Sequence, residues 1–181
     1  MTEELEIDVA DLAFESFAAY AHERTGALLD GVDLEAARLI LTLHRAASTV
    51  VYDLESTVHR PAGWSWSGFR LLYVLWIAGP LEARHAARLA GLSRQSASTL
   101  SKTLEREGLL RRIPSAEDRR LISYDLTPQG RARVDEVYLE HNARERLWAE
   151  VLTEEERSTV ITALSKLLDA AERLDVRRRN D

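Results

Sequence analysis

Apolar positions repeat at helical spacing along most of this chain and switch to strand spacing near its middle. Ala37, Ile40, Leu43, Ala47, Val50 and Leu54 follow one another at steps of three and four, the stripe of a long helix over residues 34–59 that Asp33 can cap. Before it, Val9, Leu12, Phe14, Phe17, Tyr20 and Leu28 form a looser helical pattern that ends near Asp30 and Gly31, an extension expected to pack on the dimer. Residues 60–63 break the chain; Ser65 or Ser67 then caps a helix that runs to Ala78 and stops at Gly79 and Pro80. Thr127 caps another helix at Pro128, running to about residue 151, with Val134, Tyr138, His141 and Trp148 on its buried side. Thr153 and Glu156 form a capping-box pattern. After it, Val160, Leu164, Leu167, Ala171 and Leu174 repeat at steps of four and three, the seam of one helix against another. Stripes this long, left exposed, invite aggregation, so the first and last helices are expected to interlock with those of a second subunit.

The middle of the chain is different. Residues 81–91 carry small apolar side chains (Ala86, Ala87, Leu89, Ala90) and end at Gly91, a residue suited to the left-handed conformation that stops a helix. Ser93 follows as an N-cap, and in residues 94–107 Ala97, Leu100 and Leu104 take one helical face. Arg94, Gln95, Ser98, Thr99, Lys102 and Arg106 are left outside it, with acid only in the last turn at Glu105 and Glu107. Such a face suits a DNA groove: arginine can pair with guanine bidentately, glutamine with adenine, and hydroxyls with phosphates or base edges. Gly108 ends the helix. Residues 109–113 and 121–126 read as two strands, in the second of which Leu121, Ser123 and Asp125 alternate with Ile122, Tyr124 and Leu126. Between them lie Asp118, Arg119 and Arg120; a guanidinium on a protruding hairpin can enter a narrow minor groove, steadied by a nearby carboxylate. Arg111 and Arg112 read either as phosphate contacts or as solvated strand residues.

The pattern predicts a mostly α protein (α+β): a winged helix-turn-helix lobe with a two-stranded wing, embedded in a helical dimerisation region. Residues 1–63 are the N-terminal extension and dimerisation helix, residues 64–133 the DNA-binding lobe, and residues 134–181 the C-terminal dimerisation helices.

Net charge changes this picture only when it is located. The 181 residues carry a formal charge of −6, which by itself argues against a nucleic-acid partner. Residues 84–133, however, hold eleven Arg or Lys against five Asp or Glu, whereas residues 1–63 hold four against twelve and residues 134–181 eight against twelve. Local potential decides phosphate binding, because exposed charges farther apart than roughly 8 Å are largely screened. With no cysteine, disulfides and thiol switches are excluded. The acidic N-terminus lacks the basic and apolar regions of a signal peptide, and no apolar run approaches the ~20 residues a bilayer demands, so a soluble cytoplasmic protein is expected. No Walker loop, dinucleotide fingerprint or nucleophile elbow is present, so neither enzyme activity nor a cofactor is expected.

The run Asp118-Arg119-Arg120, five further residues, then Leu126-Thr127-Pro128-Gln129-Gly130 resembles the wing and strand-to-helix junction of the MarR family, the multiple-antibiotic-resistance regulators. Ala87, Gly91, Leu92, Ala97 and Leu100 match its helix-turn-helix spacing, and the resemblance extends over about residues 33–176. It implies that Arg120 is the minor-groove arginine of the wing, with Asp118 its positioning partner and Arg119 beside it. Residues 94–103, Ser96 among them, would be the major-groove surface. It also implies a homodimer on double-stranded DNA with a pseudo-palindromic operator, most often as a repressor. Small aromatic effectors in the family often bind between the dimerisation helices and the DNA lobe. Here Trp64, Trp66, Phe69, Tyr73 and Trp76 crowd within thirteen residues, Arg70 lies among them, and His44 and Tyr52 lie on the preceding helix. Aromatics at helical spacing ordinarily build core; the second reading is an effector pocket. The five histidines show no metal-binding spacing, and no metal is expected. The competing function is a winged helix used only for protein contact, without specific DNA binding or ligand response.

Overall fold

The computed structural model describes residues 14–114 and 121–174. They divide after Tyr52 into two compact units.

In the first unit, helix α1 (Phe14–Leu28) and helix α2 (Leu34–Leu54, whose last two residues belong to the second unit) are joined by a turn through Gly31 at φ 78°. Asp33 starts α2 as the sequence predicts: its Oδ1 accepts from the amide of Ala36 at 2.9 Å.

The second unit opens with a departure from the predicted helix over residues 34–59. Its last five residues, Glu55–His59, are π-helical. The hydroxyls of Ser56 and Thr57 both donate to the Asp53 carbonyl, at 3.1 and 2.7 Å, competing for an acceptor that a regular α-turn would give to a backbone amide. The wider turn brings the neighbours Val58 and His59 inside together.

Helix α3 (Trp66–Ala78) is capped by Ser65, which accepts from the amide of Gly68, and supplies the fully buried Leu71, Leu72 and Leu75. The helix predicted over residues 81–91 is shorter than expected. Leu81–Glu82 forms strand β1, and helix α4 spans Ala83–Leu89. Helix α5 (Arg94–Arg106), strand β2 (Leu110–Pro114) and strand β3 (Ile122–Leu126) follow. The sheet has antiparallel order β1-β3-β2, with Leu81 opposite Tyr124 and Leu110 opposite Leu126. The two-stranded wing therefore gains a third strand at its base.

Helix α6 (Pro128–Ala149) starts where the Thr127-Pro128-Gln129-Gly130 run predicts. Thr127 Oγ1 donates to the Gly108 carbonyl at 2.6 Å and accepts from the Gly130 amide at 2.9 Å, tying the helix start to the end of α5. Gly130 is there because space is absent: a Cβ would lie 1.9 Å from the backbone oxygen of Leu109. Val134 and Val137 then complete a core with Leu104, Leu110, Tyr124 and Leu126. Helix α7 (Glu154–Arg173) opens with the predicted capping box, Thr153 and Glu156 bonding reciprocally at 2.8 and 3.3 Å. Its apolar seam, in contrast, is open, with Val160 42%, Leu164 37% and Leu167 40% exposed, and Ile161 and Leu168 beside it are more exposed still. Among the described residues no helix is long and apolar enough to cross a membrane.

Candidate nucleic-acid interface and aromatic pocket

Small side chains bring α4 and α5 together. Ala86, Ala87 and Ala97 are buried, and between the helices the chain reverses through Gly91 at φ 63°, with the Leu92 amide donating to the Ala87 carbonyl at 2.9 Å. Ser93 then accepts from the Ser96 amide at 3.0 Å and donates to the Ser96 hydroxyl at 2.8 Å. This fixes the first turn of α5 and the direction of its outer face.

That face carries Arg94, Gln95, Ser96, Thr99 and Lys102, all exposed, with Ser98 half-buried at its edge. On the opposite face, Ala97, Ser101 and Leu104 are buried. Ser101 departs from the apolar pattern without leaving its hydroxyl unmet, since it donates to the Ser98 carbonyl at 3.0 Å. Six of the eleven residues proposed for DNA thus belong to one helix, with no carboxylate before Glu105.

The two strand arginines are held by acids of the lobe itself. Arg111 is paired with Asp125, its Nε donating to Oδ2 at 2.9 Å. The Arg112 amide donates to Glu105 Oε1 at 3.2 Å, and its guanidinium lies 3.9 Å from the same carboxylate. Asp118, Arg119 and Arg120 lie outside the described residues.

The aromatic candidates separate into different places. Trp66, Phe69, Arg70 and Tyr73 line one side of a cavity of about 330 Å³, completed across from them by Tyr138, His141 and Glu145 of α6. Arg70 stands 5.9 Å from the Trp66 ring centroid; its Nε is buried without a hydrogen-bond partner, and burial pushes its pKa down. Trp64 is buried beside a different, open cleft bounded by Glu107, Gln129 and Arg133. Trp76 lies tilted against Tyr138, ring centroids 5.1 Å apart, and donates its Nε1 hydrogen to Asp135 at 2.7 Å. His44 and Tyr52 stand on α2 in the first unit, and both are exposed.

The α6 wall was missing from the candidate residues, although its spacing of 138, 141 and 145 places it on one helical face. Behind it, His59 of the π-turn is fully buried, its ring 4.2 Å from Phe69 and its Nε2 3.1 Å from His141 Nδ1. A second anchor ties the end of α2 to α6: Asp53 accepts from Arg144 Nε and Nη2 at 2.7 and 2.6 Å and from Trp148 Nε1 at 2.7 Å. These donors, Arg144 first, hold the Asp53 carboxyl below its ordinary range. Burial, then the neighbouring Tyr73, raises the Tyr138 phenol, keeping it a neutral hydrogen-bonding group.

A glycine turn between two short helices, a polar outer helix face and a hairpin wing define a winged helix-turn-helix DNA-binding transcriptional regulator. The MarR family model matches residues 64–122, from the start of α3 into β3. The HTH-type transcriptional regulator YwaE of Bacillus subtilis (strain 168) is 32% identical over 141 residues, spanning 78% of this chain and 82% of its own. The chain belongs to the MarR family, a family of transcriptional regulators rather than enzymes. The fold is shared with Bordetella bronchiseptica BpsR (TM-score 0.67, 22% identity, 72% of this chain and 98% of that one). It is shared also with the PcaV transcriptional regulator from Streptomyces coelicolor in complex with its natural ligand (TM-score 0.63, 20% identity, 79% and 99%).

Proposed function

We propose that the protein is a homodimeric, sequence-specific repressor whose hold on a pseudo-palindromic operator is released by a small aromatic effector. The outer face of α5, which has no acid before Glu105, carries the proposal. Arg94, Gln95, Ser96, Ser98, Thr99 and Lys102 would meet the major groove, while Arg119 and Arg120, with Asp118, would reach the minor groove. Arg111 and Arg112, already engaged by Asp125 and Glu105, fit a part in shaping the wing better than primary phosphate contacts. The open seam of α7 supports a second subunit, since burying Val160, Leu164, Leu167 and the neighbouring Ile161 and Leu168 removes apolar surface from water at about 25 cal/mol per Å². Residues 1–63 and 134–181 would supply that interface, with residues 64–133 as the DNA lobe.

The effector reading rests on the cavity between α3 and α6. Its volume of about 330 Å³ suits a single substituted ring. Arg70 offers a cation to a carboxylate, and Glu145 an acceptor to a ring hydroxyl. Regulation of DNA binding in BpsR by 6-hydroxynicotinic acid, a ring that bears a carboxylate and a hydroxyl, is consistent with that chemistry. Dimer geometry supplies the mechanism: two recognition helices must meet grooves about 34 to 36 Å apart, and a ligand that favours another spacing by a few kcal/mol releases the operator.

Fluorescence anisotropy tests both parts, using duplex from upstream of the protein's own gene, an unrelated duplex and several salt concentrations. The expected result is salt-dependent binding with preference for the upstream DNA, weakened at least tenfold by 6-hydroxynicotinic acid or 4-hydroxybenzoate. Arg70→Leu should abolish the ligand effect while leaving DNA binding intact. Equal, weak affinity for both duplexes would favour the winged helix as a protein-contact module.

A further inference from the structure

Behind the aromatic pocket, three polar side chains form a chain whose proton positions are set by its outer end. Glu145 Oε1 lies 3.0 Å from His141 Nε2, and its other oxygen accepts from Asn142 Nδ2 at 3.0 Å. A carboxylate only accepts, so neutral His141 carries its hydrogen on Nε2 and a lone pair on Nδ1. His59 Nε2, 3.1 Å from that lone pair, must then donate. This leaves His59 Nδ1 bare, sealed from water and without a hydrogen-bond partner. Phe69 and Trp66 stack against the ring at 4.2 and 5.4 Å.

This arrangement has no comfortable place for an extra proton. On His141 Nδ1 it would oppose the His59 Nε2 hydrogen, donor against donor. If His59 changed tautomer to accept it, the displaced hydrogen would sit on Nδ1 with nothing to bond. The surrounding charges offer little relief. On its own segment, Asp53 is occupied by Arg144 and Trp148, and Glu55 pairs with Arg60 at 3.5 Å. Helix α3 contributes Tyr73 and the cation Arg70; α6 contributes Tyr138 and Glu145, and Glu145 bonds His141 rather than His59.

We propose that His59, His141 and Glu145 form a proton-operated latch that fastens the π-turn to α6 at neutral pH and releases it in mild acid, opening the back wall of the aromatic pocket. Three elements meet at this one chain, so its release removes the polar tie between the π-turn and α6 and loosens the stack on α3, leaving the Asp53 anchor as the hinge. Burial, then the charge of His141, pushes His59 down to about 4; burial also lowers His141, with Glu145 opposing. The sign follows from these depressions. Once unfastened, the histidines return toward about 6.5. The latch therefore contributes its full stability above that value and loses it as pH falls from about 6.5 toward 4. Each proton taken up on opening shifts the equilibrium by up to about tenfold per pH unit in that window.

The latch extends the pocket reading, but its test uses the full-length chain without DNA or effector, so the two fail separately. Hydrogen exchange, corrected for intrinsic rate, is followed at residues 55–64 between pH 7.5 and 4.5, with residues 94–106 as internal reference and circular dichroism as a check on global folding. Protection at residues 55–64 should fall at least tenfold further than at the reference, and tryptophan fluorescence should change over the same window because Trp66 lies on His59. A His59→Phe, His141→Phe double variant fills the stack and removes both titrations; its profile should be flat. Should it fail to fold, His59→Gln keeps a donor for His141 and should roughly halve the pH slope. Loss of protection in step with residues 94–106, an unchanged slope in the folded variants, or ordinary titration of both rings near 6.5 by NMR would each overturn the latch.

Discussion

Helices α5 and α6 belong to one compact unit and differ in what they turn inward: α5 buries an almost wholly apolar face, whereas α6 also turns polar side chains toward its neighbours. On α5 the interior takes Ala97, Ser101 and Leu104, and the amide, hydroxyl and cationic groups of Gln95, Thr99 and Lys102 stand in solvent. On α6 the groups that face inward include His141, Arg144 and Trp148, and each is matched at hydrogen-bond distance by a partner from the π-turn or the end of α2. Polar groups matched internally hold a structure together; polar groups turned outward are available to a partner. Substitutions on the two helices should therefore separate cleanly, stability on one side and DNA affinity on the other.

The sharpest break of that division is at the start of α6. Gly130→Ala places a Cβ 1.9 Å from the Leu109 backbone oxygen, where no rotamer change can relieve the overlap. A loss of about 3 kcal/mol or more is expected in urea unfolding. A loss below about 1 kcal/mol would mean that α6 can move away from residue 109 at little cost, and its inward network would not be held as described.

On the other helix the effect should move to binding. Gln95→Ala removes an amide suited to pairing with adenine, and operator affinity should fall by about 1 to 3 kcal/mol with reduced preference at a single base pair. Unfolding should stay within about 0.5 kcal/mol, the usual range for an exposed site. A large stability loss with unchanged discrimination would place Gln95 among structural residues and weaken the outward reading of α5.

The contrast between the helices also explains what the sequence made legible. The features of α5 are local: Gly91 stops one helix, Ser93 starts the next, and the apolar phase of Ala97 and Leu104 places the outer face within a single periodic segment. The junction at Thr127 and Pro128 is equally local. The α6 pocket wall depends on pairing across the fold, since His59 and His141 are 82 positions apart, and nothing in either segment names the other. The π-turn was hidden because apolar periodicity does not register a local widening of the helix, here marked by the Arg60 amide donating to the Glu55 carbonyl five residues back. Strand β1 has two residues, too few to show alternation. Grouping Trp64 with Trp66 failed for a related reason: Ser65 is the cap between them, so only the second lies on the helix that faces the cavity.

Lys102 provides the finest discrimination, because its side chain is exposed on α5 yet lies nearly two and a half turns from Ser93. A lysine there is better placed for a phosphate than for a base edge, as the residues at the start of a recognition helix usually meet the bases. Each phosphate neutralised contributes about −0.9 to the slope of log affinity against log salt on duplex DNA. Lys102→Ala should therefore make that slope shallower by about 0.9, weaken upstream and unrelated duplexes alike, and leave unfolding unchanged. A variant that lost affinity for the upstream duplex alone would instead make Lys102 a reader of sequence, extending the base-contacting surface of α5 well beyond its first turns.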